Sequence, residues 1–329
     1  MPAMTLLQDR AYFSQHPVLQ TDDLDEARFQ VSKKLCDHRL DMTRRGARLC
    51  VTHNAVRGRH LSVNYLRYGT DVMVDPGHLS SFYLFQIPLS GDAEIVHRGD
   101  KMTAHKRAGT LLNPDRAAVL HWGTDCSKLL FQIDRAHLET VAETLTGMPN
   151  PGPIRFDLKV DFTTRHGREL QRMFAICAAG IERGALFQTP LSASDLRIEY
   201  DLIVALLTLQ KSNISHIIRN ADSMTRPPDI RRALEFIHAN LGNAITVPDI
   251  ANAVGINVRT LQKGFQRAFG KTPQQVLRNA RLDTAHYQLL ARRDTPSVSD
   301  TALACGFSHL GRFSAYYRAR FGRLPSMRR

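Results

Sequence analysis

The chain offers little from which to build a covalent framework or a catalytic centre. Its 329 residues include 5 cysteines, Cys36, Cys50, Cys126, Cys177 and Cys305, scattered with no CxxC pair. That spacing speaks against structural disulfides and against a zinc site. Apolar runs are short, and the best candidate, Leu202 to Leu207, is far below the length of a membrane span. No basic-then-apolar leader opens the sequence, so a cytoplasmic location and no membrane association are expected. Nucleophile elbows, phosphate-binding loops and paired catalytic carboxylates are absent. His53, His60, His97, His105 and His121 fall in one region but lack the HxH spacing of metal-dependent barrel enzymes. The expectation is therefore no enzyme, with no catalytic residue, no metal ligand and no cofactor.

Charge of one sign is present in excess, and it is unevenly placed. The formal net charge is +13. From Pro228 onward there are 16 Lys and Arg against 6 Asp and Glu, a net of +10 in 102 residues. The preceding 227 residues hold 28 against 25, a net of +3. A basic terminal region on a near-neutral body is the footprint of phosphate binding.

Within that basic region one stretch occurs twice. Val247, Asp249, Ala251, Ala253 and Gly255 recur 51 residues later as Val298, Asp300, Ala302, Ala304 and Gly306. Phe269, Gly270 and Pro273 recur at a spacing of 52 as Phe321, Gly322 and Pro325. Each copy predicts a short helix, a tight turn and a second helix. Thr246 with Asp249, and Ser297 with Asp300, have capping-box spacing, and Gly255 and Gly306 suit the left-handed residue of the turn. Asn257 and Ser308 are the expected caps of the second helices. Leu261, Phe265 and Phe269 in one copy, and Phe313, Tyr317 and Phe321 in the other, recur every fourth residue and must face a core. Between the copies, Thr272 and Pro273 predict a long helix with Val276, Leu277, Ala280, Tyr287 and Leu290 inward.

The last hundred residues resemble the DNA-binding region of the AraC/XylS family of bacterial transcription regulators. The stretch CGFSHLGRFSAYYRARFG, from Cys305 to Gly322, carries the resemblance most specifically, and its His309 to Phe313 segment is similar to the XylS/BenR-type branch. The resemblance implies a cupin-like effector domain ahead of the basic region, a homodimer, contact with RNA polymerase, and a small aromatic acid as possible effector.

The remaining sequence fits that plan. Leu61 to Tyr65 alternates, Phe82 to Ile87 is apolar on both faces, and Ala93 to His97 runs to a turn at Gly99. Further short strands are read at Gly109 to Asp115, Val119 to Trp122 and Lys128 to Ile133, separated by Gly, Pro, Asn and Asp. A small antiparallel barrel is expected. Two amphipathic helices follow. The first carries Leu170, Phe174, Cys177 and Ile181. The second, capped by Ser194 or Asp195, carries Leu196, Tyr200, Ile203, Leu207 and Gln210. They either cover the barrel or pair with a second subunit. The predicted fold is α+β: an effector and dimerisation domain at 1–215 (barrel about 35–135, helices about 136–215), a linker at 216–228, and an all-α double helix-turn-helix domain at 229–329.

On the first recognition helix the outward residues are Val258, Arg259, Gln262, Lys263, Gln266 and Arg267. Arg259 can pair with guanine and Gln262 with adenine, each worth roughly 1–3 kcal/mol of discrimination. On the second they are His309, Leu310, Arg312 and Ala315, with Arg318 and Arg320 further along. Leu310 and Gly311 offer no bidentate group, so this helix is expected to contribute contacts partly to phosphate. A ligand pocket is read from Leu61, Val63, Tyr65, Phe82, Leu84 and Trp122, with Arg57, Arg59 and Arg67 as candidate partners of a carboxylate. The function expected is an effector-responsive activator that binds double-stranded DNA. Its alternatives are a constitutive regulator without effector and a cupin-type enzyme fused to a DNA-binding tail.

Overall fold

Alternating apolar residues punctuated by turn formers give the first two-thirds of the chain its strands, and capped amphipathic stretches give the last third its helices. The computed structural model describes residues 7, 9–44, 46–97, 99–219, 228–291 and 297–327. The stretch 220–227 of the expected linker lies outside the described residues, as do the side chains of Tyr287 and Leu290.

The order of elements begins with β1 (Pro17–Thr21), α1 (Leu24–Lys34), β2 (Arg39–Met42), β3 (Val51–Arg57), β4 (Leu61–Arg67) and β5 (Val72–His78). Next come β6 (Phe82–Ser90), β7 (Ala93–His97), β8 (Asp100–Ala104), β9 (Ala108–Leu112), β10 (Ala117–Trp122) and β11 (Ser127–Asp134). α2 (Arg135–Thr146), β12 (Lys159–Asp161), α3 (Arg165–Glu182), α4 (Ala193–Leu209) and α5 (Ser215–Arg219) follow. The helical region comprises α6 (Pro228–Ala239), α7 (Val247–Val254), α8 (Val258–Phe269), α9 (Pro273–Ala291), α10 (Val298–Ala304) and α11 (Leu310–Phe321). Two compact units result. The first runs through Val141 and resumes from Phe156 to Ser212; the second takes Ala142–Arg155 and Asn213 onward.

In the first unit the strands form two antiparallel sheets, ordered β1-β3-β4-β11-β6-β9-β12 and β2-β5-β10-β7-β8. The strand region is wider than 35–135, because β1 pairs with β3 and β12 with β9. One apolar interior lies between the sheets, built from Val51, Leu66, Tyr68, Val72, Leu84, Ile95, Leu120, Trp122 and Leu130 among others. The opposite face of the larger sheet is covered by α3, whose Phe174 ring stands 4.7 Å from both Phe85 and Phe131, edge to face. That double covering explains why every residue of β6 is buried.

α3 buries the expected stripe of Leu170, Phe174, Cys177 and Ile181. α4 differs from expectation at its start. Ser192 is the cap and Asp195 occupies the third helical position of a full capping box. Asp195, Glu199, Leu202 and Leu206 are buried along with the expected Ile203, Leu207 and Gln210, whereas Tyr200 is half-buried and Leu196 is exposed. Buried Glu199 accepts the backbone N–H groups of Arg59 (2.7 Å) and His60 (3.1 Å), tying α4 to the turn between β3 and β4. Residues 215–219, partly assigned to the linker, form α5, and Pro228 opens α6.

His97 is 3% exposed and fully engaged. Its Nδ1–H donates to the Ala117 carbonyl at 3.1 Å, and Nε2 accepts the Asn113 N–H at 3.4 Å, a geometry that requires the neutral ring. Burial drives its pKa from 6.5 down to about 4, and burial lowers His38 and His53 in the same direction. A depressed pKa in the folded state stabilises fully above about 6.5 and is lost as pH falls toward 4. The His97 contribution should reach at most about 3 kcal/mol. Urea titrations followed through the chain's one tryptophan, Trp122 in this interior, should show stability falling between pH 6.5 and 4. His97→Gln should flatten that slope; an unchanged slope assigns it to other groups.

Candidate nucleic-acid interface and ligand cavity

The first recognition helix is built by closure at both ends and burial along one side. Thr246 and Asp249 make a complete capping box on α7, with Asp249 Oδ2 accepting the Thr246 N–H at 2.8 Å. Gly255, at φ +75, ends the helix in the left-handed region. Asn257 Oδ1 then accepts the Thr260 N–H at 2.8 Å and starts α8. Leu261, Phe265 and Phe269 are buried on the inward side. The helix therefore turns Arg259, Gln262, Lys263, Gln266 and Arg267 to solvent, with Val258 half-buried. None of these side chains is an acid, so α8 presents an uncompensated cationic face at its accessible side.

The second unit of the duplication repeats the plan with changes. Ser297 and Asp300 form the capping box of α10. Gly306 follows at φ +77, where an added Cβ would lie 2.8 Å from the Leu241 carbonyl oxygen and 2.9 Å from the Arg281 guanidinium. Left-handed geometry and close approach both demand glycine there. The expected Ser308 cap is corrected: α11 begins at Leu310, so His309 is the cap residue, and it makes no side-chain capping bond. Phe313, Tyr317 and Phe321 are buried, which leaves His309, Leu310, Arg312, Ala315 and Arg318 exposed.

Arg320 must be removed from the list of candidate DNA contacts. Its guanidinium is bidentate on Asp283 of α9, at 2.7 Å through Nε and 2.6 Å through a terminal nitrogen. The Arg320 side chain is 16% exposed and Asp283 is 5% exposed. Arg155 donates to the same carboxylate at 2.9 Å. Sequence spacing placed Arg320 beside Arg318 on a basic helix end and gave no sign of the acid 37 residues earlier on another helix. Its role is to orient α11 on α9, together with His286, whose Nδ1 lies 2.6 Å from the Tyr317 hydroxyl and whose ring stacks 3.9 Å from Phe321.

Residues not nominated from sequence also join this surface. A groove of about 460 Å³ between the two repeats is lined by Gln274, Arg278 and Arg281 of α9 and by His309, Arg312 and Tyr316. Arg278 stacks over the Tyr316 ring at 4.3 Å. Arg281 donates to the carbonyls of Leu241 and Asn243 and so serves the fold. The spacing of Arg278 and Arg281 on α9, between buried Leu277, Ala280 and Leu282, was the available signal.

In the first unit the candidate ligand residues separate into three places. Arg57, Arg59 and Phe82 line an open basin of about 410 Å³, with Lys33, Lys34 and His60. Trp122 lies deep in the inter-sheet interior, beside a cavity of about 40 Å³. Leu35 and Phe82 line both spaces. Tyr65 is corrected. It pairs across the strands with Leu129, which pairs with Ile87, on the face turned away from the interior. Val63 and exposed Arg67 share the parity of Tyr65, since side chains two apart on a strand point the same way, while Leu61 at the start of that strand also lines the basin. Among the described residues no group of three or more His, Cys, Asp and Glu side chains is gathered for a metal.

A family profile described as AraC-binding-like domain matches residues 27–208, and one described as helix-turn-helix domain matches residues 250–329. The chain is 28% identical to the probable thc operon regulatory protein of Rhodococcus erythropolis, over 93% of each chain. It is 30% identical to XylDLEGF operon transcriptional activator 3 of Pseudomonas putida, over 79% of this chain and 76% of that one. A crystal structure of a probable AraC family transcriptional regulator from Rhodopseudomonas palustris is 37% identical, covering 30% of this chain and 93% of that chain, with a TM-score of 0.29.

If Asp283 holds α11 in place, removing its charge should be costly. Asp283→Ala should destabilise the helical unit by about 3–5 kcal/mol, the range for breaking a buried ion pair. Urea unfolding of the full chain followed by far-ultraviolet circular dichroism should show an earlier helical transition. A variant that unfolds like the wild type would deny Asp283 this role.

Proposed function

The chain belongs to the AraC/XylS family of transcription regulators, and from that premise we propose that it is an activator whose α8 and α11 enter successive major grooves on one face of a duplex. It is a DNA-binding regulator rather than an enzyme. The observation that carries the groove assignment is the exposed, acid-free face of α8, with Arg259 and Gln262 on adjacent turns near its amino end. An amino-terminal half of a recognition helix is the part that reaches base edges. Arg259 and Gln262 read bases, Lys263, Gln266 and Arg267 extend the contact, and Val258 packs at the groove edge. Arg312, Arg318 and His309 of α11 hold mainly phosphate, because Leu310, Gly311 and Ala315 give that helix no bidentate reader. Arg278 adds charge between the two.

The first unit takes a small molecule, as an AraC-binding-like domain implies. Its binding shifts the population of an arrangement that occupies DNA productively, and only a ligand that favours that arrangement can do so. The proposed extents are 1–215 for the effector and dimerisation domain, 216–228 for the linker and 229–329 for the DNA-binding domain. Relatives named as operon activators support a catabolic operon as target, with RNA polymerase as the partner contacted. Exposure of Leu191 and Leu196 at the start of α4 supports that helix as the dimer contact.

Gel-shift titrations against the cognate promoter fragment and random competitor test the base readers. Arg259→Ala should cost roughly 1–3 kcal/mol of discrimination while leaving weak, salt-sensitive binding to arbitrary DNA. Unchanged specificity would remove Arg259. Ala315→Arg should alter affinity at one half of the site; equal effects at both halves would contradict the assignment of one helix to each.

A further inference from the structure

The groove of the helical unit has two walls of one character. On α9, Gln274, Arg278 and Arg281 follow at helical spacing, and so do His309, Arg312 and Tyr316 at the start of α11, so each triplet is one stripe. Among the described residues no Asp or Glu lines the groove. Arg278 and Arg312 form no ion pair among the described residues. Arg281 directs its donors to the neutral carbonyls of Leu241 and Asn243, so its charge is not cancelled either. Guanidinium charges gathered along one groove repel each other until an anion lies between them.

Arg278 is held in a particular way. Its guanidinium lies 4.3 Å from the centroid of the Tyr316 ring, and the residue is half-buried. It makes no hydrogen bond to protein among the described residues. Stacking occupies the face of the guanidinium plane and leaves the N–H groups at its edge free, the geometry that takes a phosphate. The position of the groove decides which phosphate. A further wall is the start of α7, at Thr246, Val247 and Pro248. The first helix of a helix-turn-helix unit crosses the DNA backbone, while the second enters the major groove. A duplex with α8 in one major groove and α11 in the next must therefore carry the intervening backbone past the mouth of this groove.

We propose that this groove seats the phosphodiester backbone between the two half-sites, that Arg278 donates to one phosphate of that stretch, and that Tyr316 is the positioning residue that fixes its plane. The contact carries no base identity of its own. It makes the spacer part of recognition all the same, because the place of that phosphate follows the twist and groove width of base pairs that neither helix touches. The assignment deepens the reading of α8 and α11 in successive major grooves and rests on it.

Single uncharged linkages in the DNA give a direct test. The full-length protein is titrated in gel shifts against its promoter fragment carrying one methylphosphonate, moved a phosphate at a time through the stretch between the two protected regions. For the wild type one position should weaken binding about tenfold, the factor that goes with a charge-assisted hydrogen bond. Arg278→Gln, which keeps a stem beside Tyr316, should bind the unmodified fragment about tenfold more weakly and be indifferent to the methylphosphonate at that position. Its slope of log affinity against log salt should be shallower by about 0.9, the loss of one phosphate. Its preference for the promoter over random DNA, set by α8, should remain. Tyr316→Phe should match the wild type, and Tyr316→Leu should lose part of the affinity. Wild-type binding that ignores every methylphosphonate in the stretch while still preferring the promoter would overturn this contact alone, as would an Arg278→Gln variant weakened equally at the same position. A wild type with no preference for its promoter fragment would overturn the two-helix reading and this contact with it.

Discussion

One buried carboxylate orients the second recognition helix. Asp283 stands on α9 and takes Arg320 of α11 in a two-point grip, with Arg155 on the same oxygen. Around it, His286, Tyr317 and Phe321 fill the contact between the helices. At the other end of α9, Thr272 and Gln275 cap each other's backbone N–H groups directly after Gly270 closes α8. The connecting helix is therefore bonded to α11 through Asp283 and His286, and is capped at its own start directly after α8 closes. Two readers at a fixed spacing can match neighbouring grooves, and if straight DNA does not fit them, bending must make up the difference.

The two units handle positive charge in opposite ways. On α8 the cations sit at the surface because an apolar stripe every fourth residue claims the other side. In water such charges cost little and remain available to phosphate and base edges. Lys128 sits where water is excluded, beside a glutamine oxygen at 3.0 Å and an indole face at 4.0 Å.

Much of this architecture could be read from the residues. The duplicated Val-Asp-Ala-Ala-Gly spacing located both helix-turn-helix repeats, their capping boxes and the inward aromatic stripes, since these are local signals with fixed periods. Strands β4, β6, β7, β9, β10 and β11 were similarly plain, as alternation and turn residues bracket them, whereas β1, β2, β3, β5, β8 and β12 were not read. Sheet faces were not plain either. Tyr65 and Phe82 look alike as strand aromatics, yet cross-strand register sends one toward α3's side and the other into the interior. Arg320 and Lys128 escaped for the same reason. Both are held by partners 37 and 42 residues away in sequence, Asp283 and Gln86, and no periodicity reports such pairs. Ser308 was misplaced by a single residue because α11 starts after His309, without a side-chain cap to mark it.

Everything turns on two recognition helices acting together on adjacent turns of one duplex. The most direct measurement is binding of the full chain to its promoter fragment before and after inserting roughly five base pairs, about half a helical turn, between the two protected stretches. Rotating one subsite to the opposite face should abolish specific binding, and inserting a further half turn should restore part of it through the flexibility of DNA. Affinity that ignores the insertion would show that one helix binds alone, and would contradict the account.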